Sequence, residues 1–139
     1  MTELNRPKVG TAVCILKDKK VLLGQRKNGF GDGMWCFPGG HLEFGEEWTD
    51  CGVRETMEEA GIKIKNISLI TITNDIFKKE NKHYLTIFML ADYKSGEVKL
   101  MEPDKFEKWD WFDWNDLPKH LFLPILKLID QGFNPLKSK

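Results

Sequence analysis

The segment GHLEFGEEWTDCGVRETMEEAGI, residues 40–62, decides how this chain folds. A glycine turn leads into a helix over Glu46 to Ala60, closed by Gly61, a residue suited to the position just past a helix end. At about 100° per residue, Glu55, Glu58 and Glu59 fall within an arc of roughly 100°, and Trp48, Cys51 and Gly52 project into the same sector. Three carboxylates thus share a face with residues suited to burial. Like charges at these spacings repel, and burial aggravates the repulsion. A hard divalent cation between them removes the conflict, and phosphoryl chemistry needs such cations. Arg54 lies beside Glu58 on the helix circumference and can pair with Glu47 or Glu58, orienting one carboxylate. Glu46 and Glu47 sit in the first turn, where the helix dipole favours acids, and that role alone accounts for them. A Glu-rich helix is ordinarily a solvated face. Here the same-face Trp48 and Cys51, the preceding Gly39 and Gly40 and the terminating Gly61 count against that reading.

Bulk properties narrow the rest. A chain of 139 residues is one domain able to bury a core, and a 12% aromatic share with five tryptophans argues against long disorder. Basic and acidic residues balance at 21 each, so the basic footprint of a nucleic-acid-polymer binder is absent, while a small anionic substrate held through metal remains open. Cys14, Cys36 and Cys51 lack metal-knuckle spacing and read as free, mostly buried thiols in a reducing compartment. With no signal peptide and no membrane-length apolar run, the expectation is a cytoplasmic protein without membrane contact.

Along the chain, residues 8–17 and 20–26 are β-rich and joined by Asp18-Lys19-Lys20 as a hairpin. Residues 27–34 form a glycine-rich loop, and Trp35 to Phe37 an extended piece running to Pro38. Residues 67–77 and 83–93 are β-rich around a polar turn at 78–82. Residues 107–113 alternate charged and aromatic side chains, as a half-buried strand does. Residues 122–131 carry helical spacing and stop at Gly132; Pro124 fits only a first turn, so that helix starts at Leu123 or Pro124. Strands around a central helix, followed by a terminal helix, suggest a mixed sheet between helical layers.

Residues 40–62 resemble the Nudix box. Gly40, Glu46, Arg54, Glu55, Glu58, Glu59, Gly61 and Ile62 stand at its fixed spacing, and Thr56 departs from it where a bulky aliphatic is usual. Thr56 points away from the acid sector, so the departure bears on packing more than on chemistry. The likeness extends to VLLGQR at 21–26, FPGGHLEFGE at 37–46, EPDK at 102–105, WDW at 109–111 and GFNP at 132–135. These segments look like the MutT-like branch, which includes plant cytosolic hydrolases and a human thiopurine nucleotide diphosphatase. The resemblance implies a single Nudix hydrolase domain over 1–139, with the α/β fold of that family: an α/β/α sandwich around a mixed central sheet.

It also implies hydrolysis of a nucleoside diphosphate linked to a second group. Magnesium is the implied cofactor, with manganese as a substitute. Glu55 and Glu59 are the leading metal ligands, Glu58 follows closely, and the Gly40 carbonyl matches the family's backbone ligand. Arg54 completes the catalytic set. Glu107 is the leading candidate for general base, with Glu102 and Glu43 behind it; surface exposure is the competing reading of each. Arg26 can reach a phosphate or form a surface ion pair, and His41 can bond phosphate, base or its own loop. Gly39 permits close backbone approach. By analogy with the branch, Phe37, Leu121, Phe122, Leu123 and Ile125 are candidates for a base pocket. His83 and Tyr84 read as packing, and Trp109 and Trp111 as core. The loop at 27–34 and the segment 93–106 are expected to frame the site.

The leading functional expectation is conversion of a nucleoside triphosphate, including oxidised or modified purines, to the monophosphate and pyrophosphate. The alternative keeps the chemistry on another diphosphate: ADP-ribose, a pterin triphosphate, a dinucleotide, a nucleotide sugar or an isoprenoid diphosphate. A reading of a different class is a nucleotide-binding sensor without turnover, against which the full set of Arg54, Glu55, Glu58 and Glu59 argues. Related proteins are often homodimers, and a homodimer is compatible with this chain.

Overall fold

The hairpin expected at Asp18 is where the sheet begins. Lys8–Lys17 (β1) and Lys20–Arg26 (β2) run antiparallel around Asp18 and Lys19, whose φ values of 51° and 66° give a two-residue turn with the twist of its strands. The computed structural model describes residues 5–137, so the expected domain limits at 1 and 139 lie outside the described residues. The chain continues through Trp35–Cys36 (β3), Gly39–His41 (β4), the helix Trp48–Ala60 (α1), Lys63–Phe77 (β5), Lys82–Ser95 (β6), Phe106–Asp113 (β7) and the helix Leu123–Asp130 (α2). The strands form one seven-stranded sheet with the path β3-β2-β1-β6-β5, β4 pairing with β1 and β7 with β2. β1 and β6 are parallel from Lys8↔Tyr84 to Leu16↔Asp92, and the remaining pairings are antiparallel, so the sheet is mixed.

Alternation along the central strands feeds two cores, one on each face. Val13, Ile15, Leu22, Met89 and Ala91 pack with Ala60 of α1. Cys14, Val21, Leu23, Phe88 and Leu90 pack with Ile125 and Leu128 of α2. Helix, sheet and helix thus stack as the expected α/β/α sandwich. Trp109 is core, and Trp111 packs against that core half-exposed. All three cysteines are buried thiols outside any disulfide.

Three local features differ from the sequence reading. The acids Glu46 and Glu47 precede α1 rather than opening it, Glu47 holding extended backbone at the N-cap. β4 is a short strand where only a glycine turn was expected, because Gly39 and Gly40 pair with Ala12 and Thr11. β5 begins at Lys63, not 67; register shifts between Lys65 and Ser68 and between Leu69 and Thr71 break the two-residue period that marks a strand. α2 opens as expected, with Phe122 as N-cap and Pro124 in the first turn.

Candidate active site

Pairing of β4 with β1 presses a glycine strand against α1. A Cβ at Gly39 would lie 1.9 Å from the Thr11 carbonyl oxygen, so no side chain fits there, and one at Gly40 would lie 2.4 Å from the Glu55 carboxyl group, which would have to shift. The Gly39 N–H donates to Glu59 Oε1 at 2.9 Å. Glu59 is only 6% exposed. Burial pushes its carboxyl up to about 8, against the Gly39 hydrogen bond and with repulsion from Glu55 and Glu102. Burial also raises Glu55, opposed by Arg54.

Arg54 is the hub of this end. Its guanidinium donates to Glu46 at 2.8 and 3.1 Å and to Glu55 at 2.6 Å, and it reaches Glu58 at 3.4 Å and Glu43 at 3.6 Å. Among the described ion pairs Glu46, not Glu47, is its main partner, because Glu46 lies in the turn that folds back over the helix. The Arg54 hydrogen bond holds the Glu46 carboxyl at about 2, and the acids around Arg54 raise its own value further. The glutamate face therefore divides: Glu59 is buried, Glu55 is half-buried, and Glu58 has a side chain 51% exposed. Thr56 bears on packing, as its departure from the box implies, but it does not turn away from the whole acid sector: it is fully buried in the same stripe as Gly52, Glu59 and Ala60, and its Oγ1 has no hydrogen-bond partner.

From this acid end a cleft of about 490 Å³ runs along β1 and β6 to the start of α2. Its far end is aromatic. Phe30 meets Phe77 edge-on with ring centroids 4.6 Å apart and Phe122 at 5.4 Å, and Phe77 stacks on Phe122 at 5.4 Å. Tyr84 stacks with His41 at 5.5 Å, and its hydroxyl lies 3.3 Å from His41 Nε2. Burial, with Lys8 and Lys82 nearby, lowers the His41 pKa and favours a neutral ring. Arg26 lies over Phe122 at 4.3 Å and donates to the Phe30 carbonyl at 3.1 Å. None of the ion pairs among the described residues involves Arg26, so a cation faces the cleft without a paired acid.

Of the residues singled out from sequence, the cleft brings together Arg26, Phe37, Gly39, Gly40, His41, Glu55, Glu59, Phe122 and Ile125. Glu58, Glu107, Leu121 and Leu123 do not line it. Glu107 stands on the outer side of β7, 60% exposed, with Lys27 Nζ at 3.8 Å. Leu123 gives way to Pro124 and Ile125 because the first turn of α2 directs those two inward. Glu102 is nearer the chemistry: it acts electrostatically on both Glu55 and Glu59 and pairs with Lys105, which lines the cleft.

Phe30, Phe77, Tyr84, Thr86 and Lys105 were missed. Tyr84 read as packing, yet it faces the cleft beside His41. Phe30 had a signal: it is a lone aromatic inside a glycine-rich loop that has no core of its own to fill. As expected, that loop and the segment before β7 frame the site; Lys27 N–H donates to the Lys105 carbonyl and Asn28 Nδ2 to the Asp104 carbonyl, each at 3.0 Å.

Among the described residues no three His, Cys, Asp or Glu side chains converge as a closed metal cage. A magnesium ion needs none, since it keeps several waters and takes one or two carboxylates plus substrate phosphates. The donor set here is all oxygen. Buried Glu59 accepts from the Gly39 N–H, Glu55 lies against Gly40, and the Gly40 carbonyl accepts from Thr11 Oγ1 at 3.2 Å; burial, with repulsion from neighbouring acids, raises both carboxyl groups, and a divalent cation would offset this. The residues fit such an ion.

The family model described as the NUDIX domain matches residues 6–131. The chain is 35% identical over 116 residues to an ADP-ribose pyrophosphatase of Methanocaldococcus jannaschii, a match covering 84% of this chain and 68% of that protein. It is 35% identical over 106 residues to the NAD-capped RNA hydrolase NudC of Photorhabdus laumondii, covering 76% of this chain and 39% of NudC. Among solved structures, a MutT NUDIX hydrolase from Burkholderia pseudomallei superimposes with a TM-score of 0.86 at 31% identity, covering 93% of this chain and all of the other. No helix among the described residues is long and apolar enough to cross a membrane.

Proposed function

The chain belongs to the Nudix family, and from that premise we propose that it is a metal-dependent diphosphatase of a nucleoside diphosphate linked to a second group, with ADP-ribose as its type substrate. The family hydrolyses diphosphate-containing substrates and generally uses divalent metal ions. The observation that carries the reading is the pair of half-buried Glu55, held by Arg54, and buried Glu59, held by the Gly39 N–H, at one end of a cleft whose other end is aromatic.

Magnesium bound at Glu55, Glu59 and the Gly40 carbonyl would neutralise the diphosphate and activate water. The chain's own residues do the rest. Arg54 fixes the rotamer of Glu55 and draws Glu46 and Glu58 around it. Gly39 N–H holds Glu59. Arg26 and Lys105 face the cleft as cations for phosphate oxygens, and Phe30, Phe77 and Phe122 exclude water from the end that receives the base. We assign the role of general base to Glu102 rather than Glu107, because its charge acts on both site glutamates and it pairs with Lys105 in the cleft lining. Water adds to phosphorus, the bridging P–O bond breaks, and a nucleoside monophosphate leaves with the phosphate ester of the second group.

This choice sets aside the nucleoside triphosphate as the leading substrate. A relative that shares 35% identity and hydrolyses ADP-ribose supports the diphosphate-linked class. The triphosphate remains the second reading, supported by the MutT-type structure at 31% identity.

The test is product analysis with magnesium on ADP-ribose, dinucleoside polyphosphates and ordinary and 8-oxo nucleoside triphosphates, with Glu59→Gln as control. AMP and ribose 5-phosphate, formed by the wild type alone, support the proposal. Pyrophosphate from a triphosphate, with ADP-ribose untouched, moves the substrate class to the second reading. Binding without turnover on every substrate would leave a sensor.

A further inference from the structure

The cleft floor holds one arrangement that the hydrolytic chemistry does not use. Thr86 of β6 lines the cleft between Tyr84 and Phe88 on the same strand face, and its neighbour in register on β5 is Thr73. Behind it, two residues along β5, lies Asp75, fully buried. Thr86 Oγ1 donates to Asp75 Oδ2 at 2.6 Å and Thr73 Oγ1 donates to the same oxygen at 2.8 Å. The other carboxyl oxygen, Oδ1, is buried without a hydrogen-bond partner.

A threonine hydroxyl has one proton and two lone pairs. An aspartate buried among strands and short of donors binds the hydroxyl protons it has, because losing one leaves the whole carboxyl group with a single donor. The proton of Thr86 is therefore committed inward, and only lone pairs face the cleft. We propose that Asp75 is a positioning residue that makes Thr86 an obligate hydrogen-bond acceptor, so that the cleft selects a heterocycle presenting an N–H donor toward β6. The inference rests on the proposed function in so far as the ligand is a nucleotide. A purine with an exocyclic amino group on its edge is the class the floor accepts. A ring offering only an acceptor there meets lone pair against lone pair, which excludes it more strongly than a weakened contact would.

The test needs no turnover. Calorimetric Kd values are measured for two matched pairs: GMP against XMP, which carries a carbonyl in place of the 2-amino group, and AMP against IMP, which carries one in place of the 6-amino group. In the wild type the amino member of at least one pair binds about tenfold more tightly, the scale of one buried hydrogen bond. Thr86→Val, which keeps shape and loses the hydroxyl, brings that ratio close to one. Asp75→Val does the same by freeing the Thr86 proton. Asp75→Asn keeps an acceptor oxygen and restores the ratio, and Thr73→Val, whose hydroxyl does not face the cleft, leaves it unchanged. With a hydrolysed substrate, Thr86→Val raises KM for the amino member alone and leaves kcat, whereas structural damage lowers kcat for both members. The inference is overturned if the wild type treats both pairs alike, or if the ratio survives Thr86→Val and Asp75→Val. Intact discrimination without hydrolysis of any diphosphate would sink the proposed function and leave this inference standing.

Discussion

The two ends of the cleft are built in opposite ways. The acid end comes from one continuous stretch: Gly39 to Glu59 supplies the glycine strand, the helix, the arginine hub and both site carboxylates. The aromatic end draws Phe30 from a loop, Phe77 from β5, Tyr84 and Thr86 from β6 and Phe122 from the entry to α2. The first is local in sequence and held by charge; the second is assembled by the sheet and held by ring contacts. Bond-breaking machinery can therefore stay fixed while recognition changes one segment at a time.

Substitutions that strike one end should not behave like those that strike the other. The largest effect is expected from Glu59→Gln, which keeps shape and removes the buried charge: turnover falls about a hundredfold or more, on the scale of damage to metal sites. Its melting temperature in chelator equals or exceeds that of the wild type, since burial opposes the Glu59 charge when no cation is bound. Near-normal turnover would end the metal assignment. Gly40→Ala comes next, because its Cβ would land 2.4 Å from the Glu55 carboxyl group. Loss of kcat with a folded circular-dichroism spectrum is the expected result, and full activity would show that Glu55 can move without consequence.

Phe30→Ala tests the other end. With stacking worth about 1–3 kcal/mol per base, KM rises about tenfold or more while kcat holds. A matching fall in kcat would erase the distinction between the ends. The smallest effect, and one of opposite sign, is expected at Thr56→Val. Removing a buried hydroxyl without a partner stabilises the fold by about 1 kcal/mol in thermal or denaturant unfolding, with activity unchanged. Destabilisation would mean that the hydroxyl has a partner after all.

The same contrast governs what could be read from sequence. The acid end was legible because helix geometry converts fixed spacing into a face: Glu55 and Glu59 turn toward the glycine strand together, while Gly40 beside them was implied by the resemblance to the family. Even there, angle alone did not separate buried Glu59 from exposed Glu58, since the depth of a helix face depends on the sheet beneath it. The hairpin at Asp18 and the start of α2 at Pro124 were legible through backbone preferences that act over a few residues. Tyr84, Thr86 and Asp75 were not. Each sits in a strand whose alternation says that it is buried but not which cavity it faces, and the bulges of β5 blur even that. Glu107 and Glu102 are both plausible acids in a polar stretch, and only the fold places one against the site glutamates and the other beside Lys27.

The parallel pairing of β1 with β6 has a consequence in time. Lys8 finds Tyr84 only after the whole box has been synthesised and α1 and β5 have left the ribosome. Contacts so distant along the chain close late and slowly. The nascent chain therefore carries its glutamate helix for a few seconds of translation before β6 completes the cleft floor, and a hydrolytic centre is completed only when its recognition surface arrives with it.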